Sequence, residues 1–239
     1  MSRFVLGDAV PAEIRRVVAL AEERLDGAAP DVVVAVGADD PSLAGALPAG
    51  PRVVVPALAS RRPGPWARAL LATADVTVLV DPCEAPGLLP LLDGPVVVTG
   101  VPAPPETPAG GPPLDTGRGS GALRALWEAE GVAPPPGGGA GVSWVAGPAA
   151  LAGAAAAWAA GNAVVTLPGA PRHDMLRRGG ALRARSSLEV VEATRFLLES
   201  RPLAHELARR GRRQMAFLDP VDDVVARFGE ALLLAQGRA

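Results

Sequence analysis

Short β-branched runs, separated by segments of helical period, constrain this chain more than any other feature. Asp31–Val36 (DVVVAV) is apolar at consecutive positions rather than alternate ones. A strand with one face in water alternates. A strand buried on both faces need not, and such strands belong to parallel sheets covered by helices on both sides. Arg52–Val55 (RVVV), Val76–Val80 (VTVLV) and Pro95–Val98 (PVVV) repeat the pattern after a short first strand, Arg3–Leu6. Pro11–Leu25 carries Ile14, Val17, Val18 and Leu25 on one side and Glu13, Arg16, Glu22 and Glu23 on the other, which predicts an amphipathic helix. Further helices are predicted at Pro65–Ala72 and Glu84–Leu92. In a fold of this kind ligands sit beyond the C-terminal ends of the strands, where the strand order reverses.

The alternation stops and then resumes. Val101–Gly119 and Ala133–Gly141 (APPPGGGAG) are rich in Pro and Gly, which resist both helix and sheet, so they read as a linker and as the most mobile backbone. Ala122–Glu130 between them has the composition of a short helix. Beyond residue 141 the sequence predicts a strand at Val142–Val145 and a helix at Pro148–Ala160, opened by Pro and stopped by Gly161. A strand at Ala163–Leu167, a helix at Pro171–Arg178 and a strand at Ala181–Ala184 follow. Ser186 and Glu189 match a capping box for a helix over Ser187–Glu199. Two more helices start at Ser200/Pro202, running to about Met215, and at Asp219/Pro220. The predicted fold class is therefore α/β: two Rossmann-like halves with mostly parallel sheets, with Asp31–Val36 and Ala163–Leu167 as central strands. The divisions are residues 1–101, a Pro/Gly-rich linker with a short helix at 102–141, and a second half at 142–239.

Composition narrows the function classes. The 239 residues are 49% hydrophobic with a formal net charge of -2, which gives no overall electrostatic reason to expect a nucleic acid partner or an anionic membrane. All 23 basic residues are arginine, Tyr is absent, and Ile and Asn occur once each, a bias that points to a GC-rich bacterial genome. The one cysteine, Cys83, cannot form an internal disulfide and follows an apolar strand, which suits a packed thiol. No cationic leader with an apolar run is visible. The most apolar stretch, Ala149–Ala160, is about half a membrane span. These features predict a cytoplasmic protein with no membrane span.

The run Trp158–Gln214 resembles the C-terminal portion of retaining GT-B glycosyltransferases of the family 4 type. The pieces that carry the likeness are Ala160-Gly161, the buried strand Ala163–Thr166, the loop glycine Gly169, Gly180–Leu182, and the periodic helices Val190–Leu198 and Pro202–Gly211. Ala74–Pro102 is similar, more faintly, to the end of such an enzyme's first domain. The resemblance implies a GT-B-like fold, here shortened, and metal-independent transfer of a sugar from a nucleotide sugar with retention. It also implies a Glu, seven residues and a second Glu, contacting the donor sugar and the ribose. Aligned on Gly161, those positions hold Pro148 and Ala156, neither of which offers a side-chain charge or acceptor. The stretch that supplies the family's basic residues for the donor diphosphate is replaced by the Pro/Gly segment. The active site is expected to be degenerate.

The leading candidate site is the loop Pro168–Asp174 (PGAPRHD), with Gly169, Arg172, His173 and Asp174. It follows a buried strand and precedes a helix whose free N–H groups favour an anion, and Arg172 can pair with a phosphate through two hydrogen bonds. The competing reading is a solvated loop with Asp174 as a local cap. Gly147 would let a phosphate approach the next helix, without a dinucleotide GxGxxG to support it. Gly37 with Asp39 and Asp40 reads as an acceptor-hydroxyl site or an ordinary turn. His205, beside Glu206, reads as a surface histidine, with a catalyst as its minor reading, and Arg209–Arg213 (RRGRR) reads as a solvated helix end, with an interaction patch as the minor reading. The two histidines, 32 positions apart, and one Cys lack metal-ligand spacing. No nucleophile elbow or P-loop appears. The expectation is a glycosyltransferase-like protein using a nucleotide sugar as co-substrate and no other cofactor. Its alternative is a catalytically inactive nucleotide-sugar-binding or partner protein of a full-length glycosyltransferase, with a protein partner or a homodimer left open.

Overall fold

A computed structural model of the chain describes residues 3–7, 10, 12–25, 31–38, 40–41, 43, 47–57, 63–104, 114–115, 121–130, 141–147, 150–170 and 172–237. The chain divides into two compact units: Met1–Pro102 with Asp219–Ala239, and Ala103–Leu218. Residues 219–239, assigned from the sequence to the second half, therefore belong with the first. Most of both Pro/Gly stretches lies outside the described residues, as do Asp39 and Pro148.

The first unit is built on five parallel strands, β1 (Arg3–Leu6), β2 (Val33–Val36), β3 (Arg52–Val55), β4 (Val76–Leu79) and β5 (Val96–Val98), in that spatial order. The register aligns Val5, Ala35, Val54, Thr77 and Val96 in one row across the sheet. On that face Ala35, Val54 and Leu79 pack with Leu70 and Leu71 of helix α2 (Pro65–Ala72) and with Leu88. The opposite face receives the last helix of the chain, α9 (Val221–Gln236), which lies over β3, β4 and β5 and beside α1 (Ala12–Leu25). Phe228 of α9 is fully buried and stacks on Phe4 of β1, ring centroids 6.4 Å apart. Residue 219 enters this unit beside β5. Asp219 N–H donates to the Val101 carbonyl (3.3 Å), and Arg227 Nη1 donates to the Thr99 carbonyl and to Asp219 Oδ1, each at 2.8 Å. The helix expected at Glu84–Leu92 is one α-turn, α3 (Ala85–Leu88), between 3₁₀ turns at Pro82–Glu84 and Leu89–Leu91. Pro82, Pro86 and Pro90 fall four residues apart, and Pro90 lacks the N–H that a continuous helix over Glu84–Leu92 would donate to the Pro86 carbonyl.

The second unit has four parallel strands in spatial order, β6 (Leu114–Asp115), β7 (Val142–Val145), β8 (Ala163–Thr166) and β9 (Leu182–Arg183). β6 lies inside the predicted linker and was not anticipated, since two residues carry no periodicity. The helices are α4 (Gly121–Ala129), α5 (Ala150–Ala159), α6 (Asp174–Arg178), α7 (Ser187–Glu199) and α8 (Arg201–Gln214). Trp144, Val142, Ala163 and Val165 face α7 and bury Val190, Val191 and Leu197. The Trp144 indole N–H donates to Thr194 Oγ1 at 2.8 Å, and Trp127 meets the ring edge-on at 6.1 Å. The Ser186 half of the capping box forms, Glu189 N–H donating to Ser186 Oγ, while the Glu189 carboxylate reaches one residue past the N-cap and accepts from the Arg185 N–H at 2.6 Å. α5 stops at Gly161, which takes φ 78°, while Asn162 N–H reaches back to the Ala157 carbonyl.

One contact fixes the helices of this unit. Trp158 of α5 is fully buried, and its indole lies against Gly179 at the end of α6 and Gly211 of α8. A Cβ at Gly179 would come within 2.5 Å of the indole Cζ2, and one at Gly211 would overlap Cδ1 and Nε1. Arg212, next along α8, donates to the carbonyls of Trp158 (3.2 Å) and Ala159 (3.4 Å). It thereby ties the C-terminal carbonyls of α5 to α8.

Gly211→Ala is predicted to cost about 3 kcal/mol by overpacking, a fall in Tm on the order of 10 °C by calorimetry. Gly169→Ala, where φ is 87° but nothing lies within 4 Å of an added Cβ, is predicted to cost only about 1 kcal/mol of backbone strain. Equal effects would show that packing on Trp158 is not the dominant constraint. Thr194→Val keeps the shape but removes the acceptor of the buried Trp144 N–H, and is predicted to cost about 1–3 kcal/mol in urea unfolding.

Candidate functional site

Neither sheet reverses its strand order among the described residues, so the predicted crevice at a reversal point is not found. The C-terminal ends of the parallel strands remain as the place where backbone N–H groups and loops converge.

In the second unit Val145 pairs with Thr166, and Thr166 with Arg183, so the ends of β7, β8 and β9 lie side by side. Gly147 leaves β7 with φ 75°, and Gly169 leaves β8 with φ 87°. Both are left-handed conformations that a side chain resists, and at Gly169 nothing lies within 4 Å of where a Cβ would stand, which leaves that backbone open for close approach. The sequence-predicted residues thus fall on adjacent strand ends at one edge of the sheet.

Local chemistry separates them. His173, half-buried, is the N-cap of α6: its Nδ1 accepts the Met175 N–H at 3.3 Å. Asp174, proposed from sequence as the cap, is the first helical residue instead. Its exposed carboxylate pairs with Arg177 (3.4 Å) and Arg178 (3.9 Å) along the same helix. The helix predicted to start at Pro171 has only five residues, with one of its terminal N–H groups already taken by His173. It is therefore a weaker anion site than the sequence suggested. Arg172 is exposed. His173 and Asp174, adjacent in sequence, serve separate local roles.

Two residues were missed. Arg183 ends β9 in register with Thr166, and Arg185 follows two residues later; both are exposed. None of the ion pairs among the described residues involves Arg172, Arg183 or Arg185. Arginines at alternate positions, the first ending a Gly-led strand and the second two residues on (ALRAR), were the available signal.

Gly37 and Asp40 lie in a packed turn. Gly37 has φ 94°, and Asp40 folds over Gly7, its carbonyl accepting the Trp66 indole N–H at 3.0 Å. Asp81 is buried and caps the turn that holds Cys83, accepting the Cys83 N–H at 2.8 Å. His205 is exposed. Glu206 is bonded by Arg209 and Arg210, whose hydrogen bonds hold its carboxyl below the usual glutamate value, Arg209 first. Among the described residues no three His, Cys, Asp or Glu side chains gather where they could hold a metal ion. No described helix is long and apolar enough to cross a membrane.

No family model and no curated protein sequence matches the chain. Solved structures do match. One is a sucrose-phosphate synthase from Thermosynechococcus elongatus, similar over 91% of this chain and 76% of that one, with a TM-score of 0.51 and 13% sequence identity. The likeness lies in the fold, since so little sequence is shared. Parallel sheets flanked by helices in two units, on the plan of a GT-B glycosyltransferase, place this chain in the GT-B-like, Rossmann-type fold class.

Proposed function

We propose that the chain is a shortened relative of the family 4 GT-B glycosyltransferases, and that its second unit binds a nucleotide sugar through the diphosphate. The observation that supports this most is the edge formed by β7, β8 and β9. Gly147 and Gly169 take left-handed conformations there, and the guanidinium groups of Arg172, Arg183 and Arg185 stand at the same edge, exposed and in none of the ion pairs among the described residues. A diphosphate presents pairs of oxygens that match the planar guanidinium fork. Backbone N–H groups at the glycine turns can approach phosphate closely because no Cβ intervenes.

Catalysis is a separate demand. Transfer with retention, without a metal, would need charge placed against the cationic sugar and donors on the departing diphosphate. Ala156, aligned with the family's second glutamate, offers a methyl group on α5. Asp174, the carboxylate in the candidate loop, is exposed and engaged with Arg177 and Arg178. The proposed reading is therefore binding with a degenerate catalytic site. Its second form is a non-catalytic partner of a full-length glycosyltransferase, favoured by the methyl group at Ala156.

The test has two arms. Uridine, guanosine and adenosine diphosphate sugars are each added to the full chain in a thermal melt. A binder present at a hundred times its Kd stabilises the folded state by about 2.7 kcal/mol, and R183Q/R185Q is expected to remove that shift. The absence of a shift with every donor refutes the binding reading. Nucleoside diphosphate release is then followed with and without sugar acceptors. It is expected to stay at background, because loss of one preorganised charge already costs about two to three orders of magnitude in rate. Sustained turnover would show that the catalytic groups come from elsewhere in the chain.

A further inference from the structure

Arg209–Arg213 reads from the sequence as a solvated helix end. In the fold it joins a larger surface. A Cβ at Gly180 would meet Leu207 at 2.8 Å and Arg210 Cδ at 3.7 Å, so the end of α6 lies against α8. Arg177 and Arg178 of α6 thereby extend the row of Arg209, Arg210, Arg212 and Arg213, and all six are exposed. The carboxylates on these two helices are Asp174 and Glu206. A net positive excess is thus concentrated on one face of a chain whose overall formal charge is -2. Arg212 is held in place by the α5 carbonyls, and Arg209 and Arg210 share Glu206.

The same face carries an apolar edge. α8 continues directly into a 3₁₀ turn, Met215–Phe217, and Phe217 follows Arg213 by one helical turn with 73% of its surface exposed. Met215 and Leu218 beside it are half-exposed, and Ala216 is exposed. Four consecutive apolar residues, Met215 to Leu218, with no polar side chain among them suit an acyl boundary better than a stacked base.

We propose that this face docks the protein on an anionic lipid surface. The arginines would contact headgroup phosphates while Phe217 enters the boundary between headgroups and acyl chains. The attachment is peripheral. It rests on the α6–α8 face and not on the strand-end site, so it stands or falls independently of nucleotide-sugar binding.

The test is co-sedimentation of the full chain with vesicles of equal parts phosphatidylglycerol and phosphatidylcholine, and with vesicles of phosphatidylcholine alone. Binding to the first and not the second is expected, weakening as salt rises. R178Q/R213Q is expected to weaken it about thirtyfold, and Phe217→Ser about tenfold. Circular dichroism melts establish that these variants fold. A Phe217→Trp variant supplies a second readout: its added emission is expected to shift to the blue with anionic vesicles. The proposal is overturned by no sedimentation with anionic vesicles at low salt, or by binding indifferent to Phe217→Ser with no shift in the tryptophan variant. Binding to a DNA duplex through the same arginines, in a protein that ignores vesicles, would also overturn it.

Discussion

A single indole organises the second unit. Trp158 is the one bulky side chain on a helix otherwise made of Ala, Gly and one Leu, and it reaches between two glycines on two other helices. Helices α6 and α8 can approach α5 only because Gly179 and Gly211 lack a Cβ at the contact. The indole N–H has no acceptor among the described residues. Leaving such a donor unsatisfied costs about 1–3 kcal/mol, offset by the packing that the close approach permits. Where α6 sits decides where the β8–α6 loop sits, and that loop carries Gly169, Arg172 and His173. The geometry of the candidate site therefore depends on a contact that takes no part in its chemistry.

The elements were legible where pattern and punctuation agreed. α2 and α7 fall at the predicted bounds, and so do β3 and β7, because each combines an unbroken apolar run or helical period with a clear start or stop. Legibility failed where a local covalent rule outweighed the pattern. The apolar spacing of Glu84–Leu92 is helical, yet Pro90 inside it cannot extend the ladder, and the segment forms single turns. It failed again where a contact remote in sequence decides the outcome. Nothing in the last twenty residues announces that they pack on β3, β4 and β5 rather than on the nearer sheet.

The local structure around the candidate residues was legible only in part. Gly147 and Gly169, singled out after buried strands, both take positive φ, a conformation that favours glycine and so leaves a trace in residue type. The roles of His173 and Asp174 depended on which of them caps α6, a choice of one residue that sequence alone does not make. Arg183 and Arg185 were overlooked because a two-residue strand gives too little pattern to show that they end beside β8. The arginine run on α8 was visible, but its continuation onto α6 is a tertiary fact, carried by Gly180 against Leu207 and Arg210.

The first unit is discontinuous: its five strands precede the second unit in the chain, and the helix that covers one face of them follows it. During vectorial synthesis the ribosome releases β1 to β5 first, then all of residues 103–218, and only then α9. At ordinary elongation rates that interval is on the order of ten seconds. Throughout it, the sheet face destined for Phe228 has no helix from α9 to cover it. The second unit, contiguous in sequence, can complete its own core in the meantime. The nascent protein thus carries a second unit able to complete its core while the first still waits for the helix that covers one of its sheet faces.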